Sequence, residues 1–540
     1  MRSFLCTLWV ATGTLATAPA SFYDMRAKLV EAARRERFDG AAARLTSAEQ
    51  RCNATLMRMK QRIRKASPFL PALPFADARA QIGRTPLYRA LSAMPKGAVL
   101  HLHWDSAVAV SWTVAACVEH PRCFMRIADG TIRIIPAAMK PPGSEWTPIS
   151  ALRKSFPGGG AAFDASLEAN LTVTPRAFDP AGDPWVPFQR YFNAVEGVLT
   201  YIPVYKRYLQ KLFGDIALPA GGNVQYVELR AGFDGFFDDH GKTYAALEVA
   251  RLAEAAAAAA AANATDPQRR QHPFAGASFI VSAFRHGNLT AVRGALRETL
   301  QLRAALPGSI AGFDLVGQED PGYALRHFAP ALLGAQQEAR EVYNMSLPFY
   351  FHAGETSWGG PGAPACSDGE VNAAQNVFDA ALLSNRIGHG LALAKYPSLM
   401  RAIASAGDRM HTRAGADTGM DVAASSDELE ITTRAVECCP ISNQELGYVQ
   451  DMRDHPAAVM MAAGVPLTIS PDDPAVLGYS SVTHDWWLAF VSWEIDLVGL
   501  KQLAVNSIEH SALDSARRIQ LYNTWERLWN DWVRTGCSDE

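Results

Sequence analysis

Two histidines separated by one residue, His101 and His103, lie in an apolar run that spans 97–103. Residues i and i+2 of an extended strand point to the same face, so one short strand presents both imidazoles at one place. A metal ion requires such convergence of its ligands. Taken alone, the pair is more often two ordinary strand histidines, so its interpretation depends on the rest of the chain.

Apolar runs of strand length alternate with helical stretches from residue 95 onward. The eight runs are 98–103, 224–230, 277–284, 310–317, 347–352, 386–389, 434–439 and 466–470. This alternation is typical of a parallel sheet, and eight such strands predict an α/β fold of the (β/α)8 TIM-barrel type. The segment 122–184, rich in Pro and Gly, is predicted to be a subdomain inserted after the first strand, because a structureless loop of that length would be unusual.

Polar side chains end five of these strands, on what a TIM barrel makes its active face. Their coincidence at one end of the strands is hard to attribute to packing. The residues concerned are His101, His103, His352, Glu355, His389, Glu437, Asn443, Asp472 and Asp473.

The residue types indicate metal-assisted hydrolysis. Four side chains can share one divalent ion and leave a position for water: His101, His103, His352 and Asp472. Glu355 follows a proposed ligand by three residues and could act as an acid on a substrate, while His389 could orient or deprotonate the water. The run 310–317 has no lysine to bridge a second ion, which favours a single Zn²⁺.

Composition excludes some functions and suggests a compartment. A net charge of -3 over 540 residues gives no nucleic-acid signature, and no run beyond the N-terminus is long enough to span a membrane. Residues 1–20 read as a signal peptide, with an apolar stretch at 4–15 and small residues up to Ala20. Five glycosylation sequons agree with a secreted, extracellular protein; they begin at Asn53, Asn170, Asn263, Asn288 and Asn344. The cysteines Cys117 and Cys123 flank a short loop and could pair.

Residues 21–70 are predicted to form charged helices ahead of the core, which occupies 71–540. Apolar residues of this arm, Leu56, Met57, Met59 and Ile63, would otherwise be exposed, which favours docking to a second chain over a solvated extension.

Seven motifs, in this order, resemble those of the adenosine deaminase superfamily, and most closely its secreted branch, the adenosine deaminase-related growth factors of the adenosine deaminase 2 type. They are MPKG at 94–97 before the His101–His103 pair, YVELR at 226–230, AGFDLVG at 311–317, HAGET at 352–356, RIGHG at 386–390, CPISNQ at 439–444 and DDP at 472–474. The resemblance covers the chain from about residue 23 to the C-terminus.

The resemblance implies hydrolytic deamination of a purine nucleoside at C6, with zinc on the four proposed ligands. It implies that Glu355 donates a proton to N1, that His389 handles the attacking water, and that Asp473 and the Gly317 N–H bind other ring nitrogens. It further implies homodimerisation through 21–70, and binding of a cell-surface receptor or glycan by the insertion. The helix that begins at Trp185 would cover the nucleoside.

Three positions on the sugar side depart from the family pattern. Where the secreted branch has aspartate, this chain has Trp104, and Asp105 follows as in the intracellular deaminases. Gln189 replaces a family glutamate, and a family histidine falls at Arg285 or His286. A cationic Arg285 would suit a phosphate-bearing substrate. The alternatives to an adenosine deaminase are therefore a deaminase of AMP or adenine, or a growth-factor-like binding protein with little catalysis.

Overall fold

The computed structural model describes residues 20–35, 45–140, 143–173, 183–262, 267–356, 373–413, 431 and 435–537. The predicted signal peptide lies outside them, except for Ala20. The strands are β1 (Ala98–His103), β2 (Cys123–Arg126), β3 (Thr131–Ile134), β4 (Trp146–Pro148), β5 (Tyr226–Ala231), β6 (Ala277–Phe284), β7 (Ile310–Val316), β8 (His352–Ala353), β9 (Arg386–His389), β10 (Ala435–Cys438) and β11 (Leu467–Ile469).

The helices among these residues are α1 (Ala20–Arg35), α2 (Ser47–Lys65), α3 (Phe75–Ile82), α4 (Pro86–Ala93), α5 (Val110–Val118), α6 (Ile149–Ser155), α7 (Gly159–Asn170), α8 (Trp185–Leu199), α9 (Ile202–Ile216), α10 (Ala246–Ala262), α11 (Pro267–Gln271), α12 (Leu289–Ala305), α13 (Leu325–Tyr343), α14 (Asn376–Leu383), α15 (Pro397–Arg413), α16 (Pro440–Glu445), α17 (Ala457–Ala462), α18 (Thr483–Ser492), α19 (Leu497–Glu509) and α20 (Ser515–Thr535). None of these helices combines the length and apolar character needed to cross a bilayer.

Eight parallel strands close into a barrel. One sheet has the order β1-β5-β6-β7 and the other β11-β10-β9-β8. Parallel bridges from Leu102 to Asp472 and from Phe313 to Phe349 join the two sheets on both sides. The predicted (β/α)8 fold is thereby confirmed, and the bounds predicted for β1, β6 and β9 agree with the structure.

The strands form at unbroken runs of apolar residues, because in a barrel one face of each strand packs on the interior and the other on the helices. β5 is buried at all six positions, although its sequence YVELRA contains two charged residues. Gly388 in β9 is needed for close packing, since a Cβ there would lie 3.0 Å from Cε1 of His101. The strand backbone therefore leaves room for a ring that belongs to the site.

Between β1 and β5 the chain forms a small antiparallel sheet of order β3-β2-β4, accompanied by α6 and α7. Helix α8 follows and contacts β3. A disulfide joins Cys117 and Cys123, the pair that the sequence allowed. This unit occupies the region predicted as an insertion.

Helix α2 packs on its own barrel, which corrects the expectation that its apolar residues would be exposed without a second chain. Leu56 is 0% and Met59 5% exposed within the single chain, so these side chains need no second chain to cover them. Lys60 Nζ donates to the Ile495 carbonyl at 2.8 Å. A disulfide between Cys52 and Cys537, which the sequence did not indicate, ties α2 to the segment that follows α20.

Candidate active site

Four electron-pair donors lie near one another where β1, β8 and β11 end. His101 Nε2 lies 3.0 Å from His352 Nε2 and 3.1 Å from Asp472 Oδ1. His103 Nε2 lies 3.4 Å from the same carboxylate oxygen. His101, His352 and Asp472 therefore lie together although β1 and β11 are far apart along the chain. Among the described residues, His389 belongs to the same close group of possible ligands, and His103 joins it through Asp472, in a second group with Asp473.

Two buried carboxylates behind the histidines, which we call the second layer, orient the rings so that their Nε2 atoms face one another. His101 Nδ1 donates to Glu437 at 2.8 Å, and His352 Nδ1 donates to Asp314 at 2.7 Å. A carboxylate only accepts, so each neutral ring carries its hydrogen on Nδ1 and a lone pair on Nε2. Burial lowers the pKa of His352 to about 4 and keeps that ring neutral.

This donor set suits a cation. Two Nε2 lone pairs 3.0 Å apart repel each other unless a positive charge lies between them. Asp472 Oδ1 is buried and accepts no hydrogen bond among the described residues. Burial opposes charge on His103, but Asp473 and Asp472 raise its pKa to about 9, so a metal ion would displace a proton there.

Two arginines hold the second layer in place. Arg230 donates from Nε to Asp314 at 2.9 Å and from Nη2 to Glu437 at 2.6 Å. Arg386 donates to Glu437 and Glu228, both at 2.6 Å. The sequence interpretation missed these roles. Charged residues at alternate positions of the buried run YVELR were the available signal.

Glu355 and His389 lie beside the ligands. Glu355 Oε1 is 3.4 Å from His389 Nδ1, and His389 Nε2 is 3.7 Å from Asp472 Oδ2. Burial, together with the negative charges of Asp472 and Glu319, raises the pKa of Glu355 well above its usual range. Backbone N–H groups of Gly354 and Glu355 donate to Glu319, which fixes this loop. A carboxylic acid that keeps its proton near neutral pH can serve as a proton donor.

A cavity of about 690 Å³ opens over these residues. The predicted substrate residues that line it are Asp105, Trp185, Gln189, Gly317 and Asp473, and Trp104 lines it as well. Asp473 accepts a hydrogen bond from Ser106 Oγ, and Tyr191 donates to the Asp105 carbonyl at 2.7 Å. Trp104 packs edge-on against Tyr205 and Tyr208.

Arg285 and His286 do not line this cavity, which corrects their placement on the sugar side. The Arg285 side chain is fully buried and donates to the carbonyls of His352 at 2.6 Å and Leu315 at 3.2 Å. It supports β8 from behind and cannot meet a substrate phosphate. His286 lines a neighbouring cavity that shares Trp185 and Gln189 with the first.

A closed parallel barrel with three histidines, an aspartate and a protonated glutamate at the carboxyl ends of its strands defines the class of TIM-barrel amidohydrolases and deaminases. The family model described as "Adenosine deaminase" matches residues 182–526, and that described as "Adenosine/AMP deaminase N-terminal" matches 3–91. The chain belongs to the adenosine deaminase family.

Adenosine deaminase 2 proteins of other organisms are similar in sequence to nearly the whole chain. The chain is 33% identical to "Adenosine deaminase 2-A" of Danio rerio over 93% of this chain and 92% of that protein. It is 32% identical to "Adenosine deaminase 2" of Sus scrofa over 96% of both. Among solved structures, Arabidopsis ADAL complexed with IMP superposes with a TM-score of 0.53 at 16% identity, covering 82% of this chain and 98% of that one. Adenine deaminase from Arthrobacter aurescens gives 0.51 at 17%, covering 82% and 100%. At these identities the two structures show the fold alone.

Proposed function

We propose that this chain is a secreted enzyme that hydrolyses adenosine, and also 2′-deoxyadenosine, to the corresponding inosine and ammonia with one zinc ion. The observation that carries the proposal is the pair of opposed Nε2 lone pairs on His101 and His352. Asp472 and Glu355 lie beside them, and these two residues and His352 line the cavity. Membership of the adenosine deaminase family identifies the substrate class.

The zinc would be held by His101, His103, His352 and Asp472, and it would supply Lewis acidity that makes water nucleophilic near neutral pH. Burial raises the pKa of Glu355, so this side chain would hold a proton and give it to N1 of the purine as water attacks C6. His389 faces the same point from β9 and would hold the attacking water. Of the two hydrogens of that water, one would leave with the amino group as ammonia and the other would restore the proton of Glu355.

The cavity would hold the purine by its edge. Asp473, fixed by the Ser106 hydroxyl, would contact one further ring nitrogen, and the Gly317 N–H would contact another. Trp185, which donates from Nε1 to Tyr448 at 2.8 Å, would cover the nucleoside. Asp105 and Gln189 line the remaining wall, where the sugar would lie.

Ammonia release from adenosine, 2′-deoxyadenosine, AMP and adenine by secreted protein of known zinc content tests the proposal. Adenosine and 2′-deoxyadenosine should be the best substrates by kcat/KM. His352→Ala should lose both zinc and activity, whereas Glu355→Gln should keep zinc and lose activity by a factor of at least about 100. Turnover of adenosine at the wild-type rate by metal-free enzyme, or by His352→Ala, would contradict the zinc assignment.

Secretion and glycosylation belong to the same proposal. Two disulfides support an oxidising compartment. The sequon asparagines Asn170, Asn288 and Asn344 are exposed, whereas Asn53 is half-buried where α2 contacts the start of α19, through a hydrogen bond from Leu497 N at 3.1 Å. We therefore expect glycans at the three exposed sites and none at Asn53, which mass spectrometry of the secreted protein would show.

We further propose that 1–20 is a signal peptide, that 21–70 mediates homodimerisation, and that the insertion at 122–184 in the 71–540 barrel binds a cell-surface receptor or glycan. Helix α1 supports dimerisation, because it exposes Phe22, Met25 and Leu29, the last of these at 72%. Light scattering of the full chain and of a chain truncated before residue 45 would test the dimer.

A further inference from the structure

His389 is connected to a buried histidine that does not reach the cavity. The Asn443 side-chain amide lies between the two rings, with Nδ2 3.0 Å from His389 Nδ1 and Oδ1 3.1 Å from His455 Nε2. His455 Nδ1 in turn lies 3.0 Å from the backbone nitrogen of Ala457. These contacts form a row of three hydrogen bonds that begins at the start of α17 and ends at the site.

The direction of every hydrogen bond in this row follows from its first member. A backbone N–H can only donate, so His455 Nδ1 accepts and a neutral His455 carries its hydrogen on Nε2. That N–H donates to Asn443 Oδ1, which orients the amide so that its NH2 group points to His389. The amide donates to His389 Nδ1, and the hydrogen of a neutral His389 must then lie on Nε2.

The surroundings of His455 and of His389 agree with this assignment of hydrogens. His455 is 1% exposed, and burial lowers its pKa to about 3, so it is neutral. At the other end, His389 Nε2 points towards Asp472 Oδ2, an acceptor 3.7 Å away, and is unpaired within the described part of the chain. A hydrogen on Nε2 therefore points to the place where the substrate and water meet.

We propose that Asn443, oriented by His455, is a positioning residue that fixes the hydrogen of His389 on Nε2, so that His389 donates a hydrogen bond to the attacking oxygen. An imidazole whose Nε2 already carries hydrogen cannot remove a proton from water at that nitrogen. The inference rests on the proposed function for the identity of the reaction, and it assigns His389 the role of donor there instead of general base.

Nitrogen NMR of protein labelled with 15N-histidine reads the tautomer directly and independently of turnover. The chain has 13 histidines, and the His389 signals are identified by their loss in His389→Asn. The wild type should show a protonated, pyrrole-type Nε2 and an unprotonated Nδ1 at His389. A carboxylate at 443 can only accept, so Asn443→Asp should move a proton onto Nδ1. A wild-type His389 with its hydrogen on Nδ1 would overturn the proposal.

Variants at His455 test the remote end of the row. His455→Phe removes the donor to Asn443, and it should lower kcat by about 10- to 100-fold with KM changed less than about twofold, while both tautomers of His389 appear. His455→Gln can accept from Ala457 N–H and donate to Asn443, so it should restore most of kcat and the single tautomer. His484→Phe is the matched control, since it removes another buried imidazole, one that contacts Tyr88 instead.

An unchanged kcat and an unchanged His389 spectrum in His455→Phe would refute the role of His455. If His455→Phe does not fold, the comparison of His455→Gln with Asn443→Asp decides the question by the same spectra. Absence of adenosine turnover in the wild type would refute the proposed function, while the tautomer spectra would still decide this inference.

Discussion

Glu437→Gln is expected to weaken zinc binding by about 10- to 100-fold, although Glu437 is not a ligand. The carboxylate accepts hydrogen bonds from His101 Nδ1 at 2.8 Å, from Arg230 at 2.6 Å and from Arg386 at 2.6 Å. Glutamine has the same shape but only one acceptor oxygen, so its NH2 group must face at least one of these donors. His101 and Arg230 donate to Oε2 and Arg386 donates to Oε1, so the amide oxygen can stay at the Oε2 position with the NH2 group facing Arg386. A neutral amide oxygen is a weaker acceptor than a carboxylate, which makes His101 Nε2 a less basic ligand.

The expected loss of affinity corresponds to about 1.4 to 2.7 kcal/mol of binding free energy. The folded state should also lose stability, by about 3 to 5 kcal/mol, because two buried guanidinium groups lose an ionic partner. A control must reproduce this second effect without touching a ligand. Glu228→Gln does so: Glu228 pairs with Arg386 at 2.6 Å and accepts from Ala512 N at 2.6 Å, with no histidine among those partners.

Zinc affinity should be measured by competition with a chromophoric chelator on metal-free protein, with unfolding followed in parallel by circular dichroism. We expect both variants to unfold at lower urea concentration than the wild type, and only Glu437→Gln to bind zinc more weakly. Equal zinc affinities in the two variants would refute the reasoning, because the effect would then come from general loosening of the barrel and not from the His101 contact.

Two further predictions concern stability. In the chain-entropy account, a disulfide stabilises by about 6 kcal/mol at most for the 485-residue separation of Cys52 and Cys537, and by about 2 kcal/mol for the 6-residue separation of Cys117 and Cys123. Replacing the first pair by alanine should therefore lower the melting temperature much more than replacing the second, and the reverse order would contradict it. Burial raises the pKa of Glu445 from 4.5 to about 7, so the folded state loses up to about 3 kcal/mol as the pH rises from 4.5 to 7. Glu445→Gln should be more stable than the wild type at pH 8 but not at pH 4, as urea unfolding at the two pH values would show.

The barrel and its metal ligands were predictable because both depend on local sequence and one topological rule. Unbroken apolar runs identify strands that are covered on both faces. The carboxyl ends of parallel barrel strands lie on one side, so residues such as His101, His352 and Asp472 meet regardless of their separation along the chain. The position of a ligand at a strand end is then enough to bring it to the site.

Two sequence predictions were wrong. One depended on the exact alignment of a strand end, and the other on which surface covers an apolar helix face. Arg285 follows the last residue of β6, and its side chain turns behind β8 instead of into the cavity. An alignment uncertain by one residue cannot distinguish these directions. The apolar face of α2 was predicted correctly, but an amphipathic pattern does not say which chain covers it, and Leu56 and Met59 pack on their own barrel.

The charged residues inside the barrel form a network of arginines and carboxylates around the proposed ligands. Barrel interiors are usually filled by branched apolar side chains. Here two guanidinium groups, Arg230 and Arg386, stand among four carboxylates. These are Glu228, Asp314, Glu437 and Asp472, and all six groups are buried.

Asp314 and Glu437 each contact an arginine and a histidine of the site, so the same groups that neutralise the arginines also fix the imidazoles. Among these six groups, four carboxylates against two guanidiniums leave an excess of two negative charges. A divalent cation among His101, His352 and Asp472 would neutralise that excess where burial makes it most costly. The second layer therefore holds the lone pairs on the ligand nitrogens, while the excess negative charge that favours a cation includes the ligand Asp472 itself.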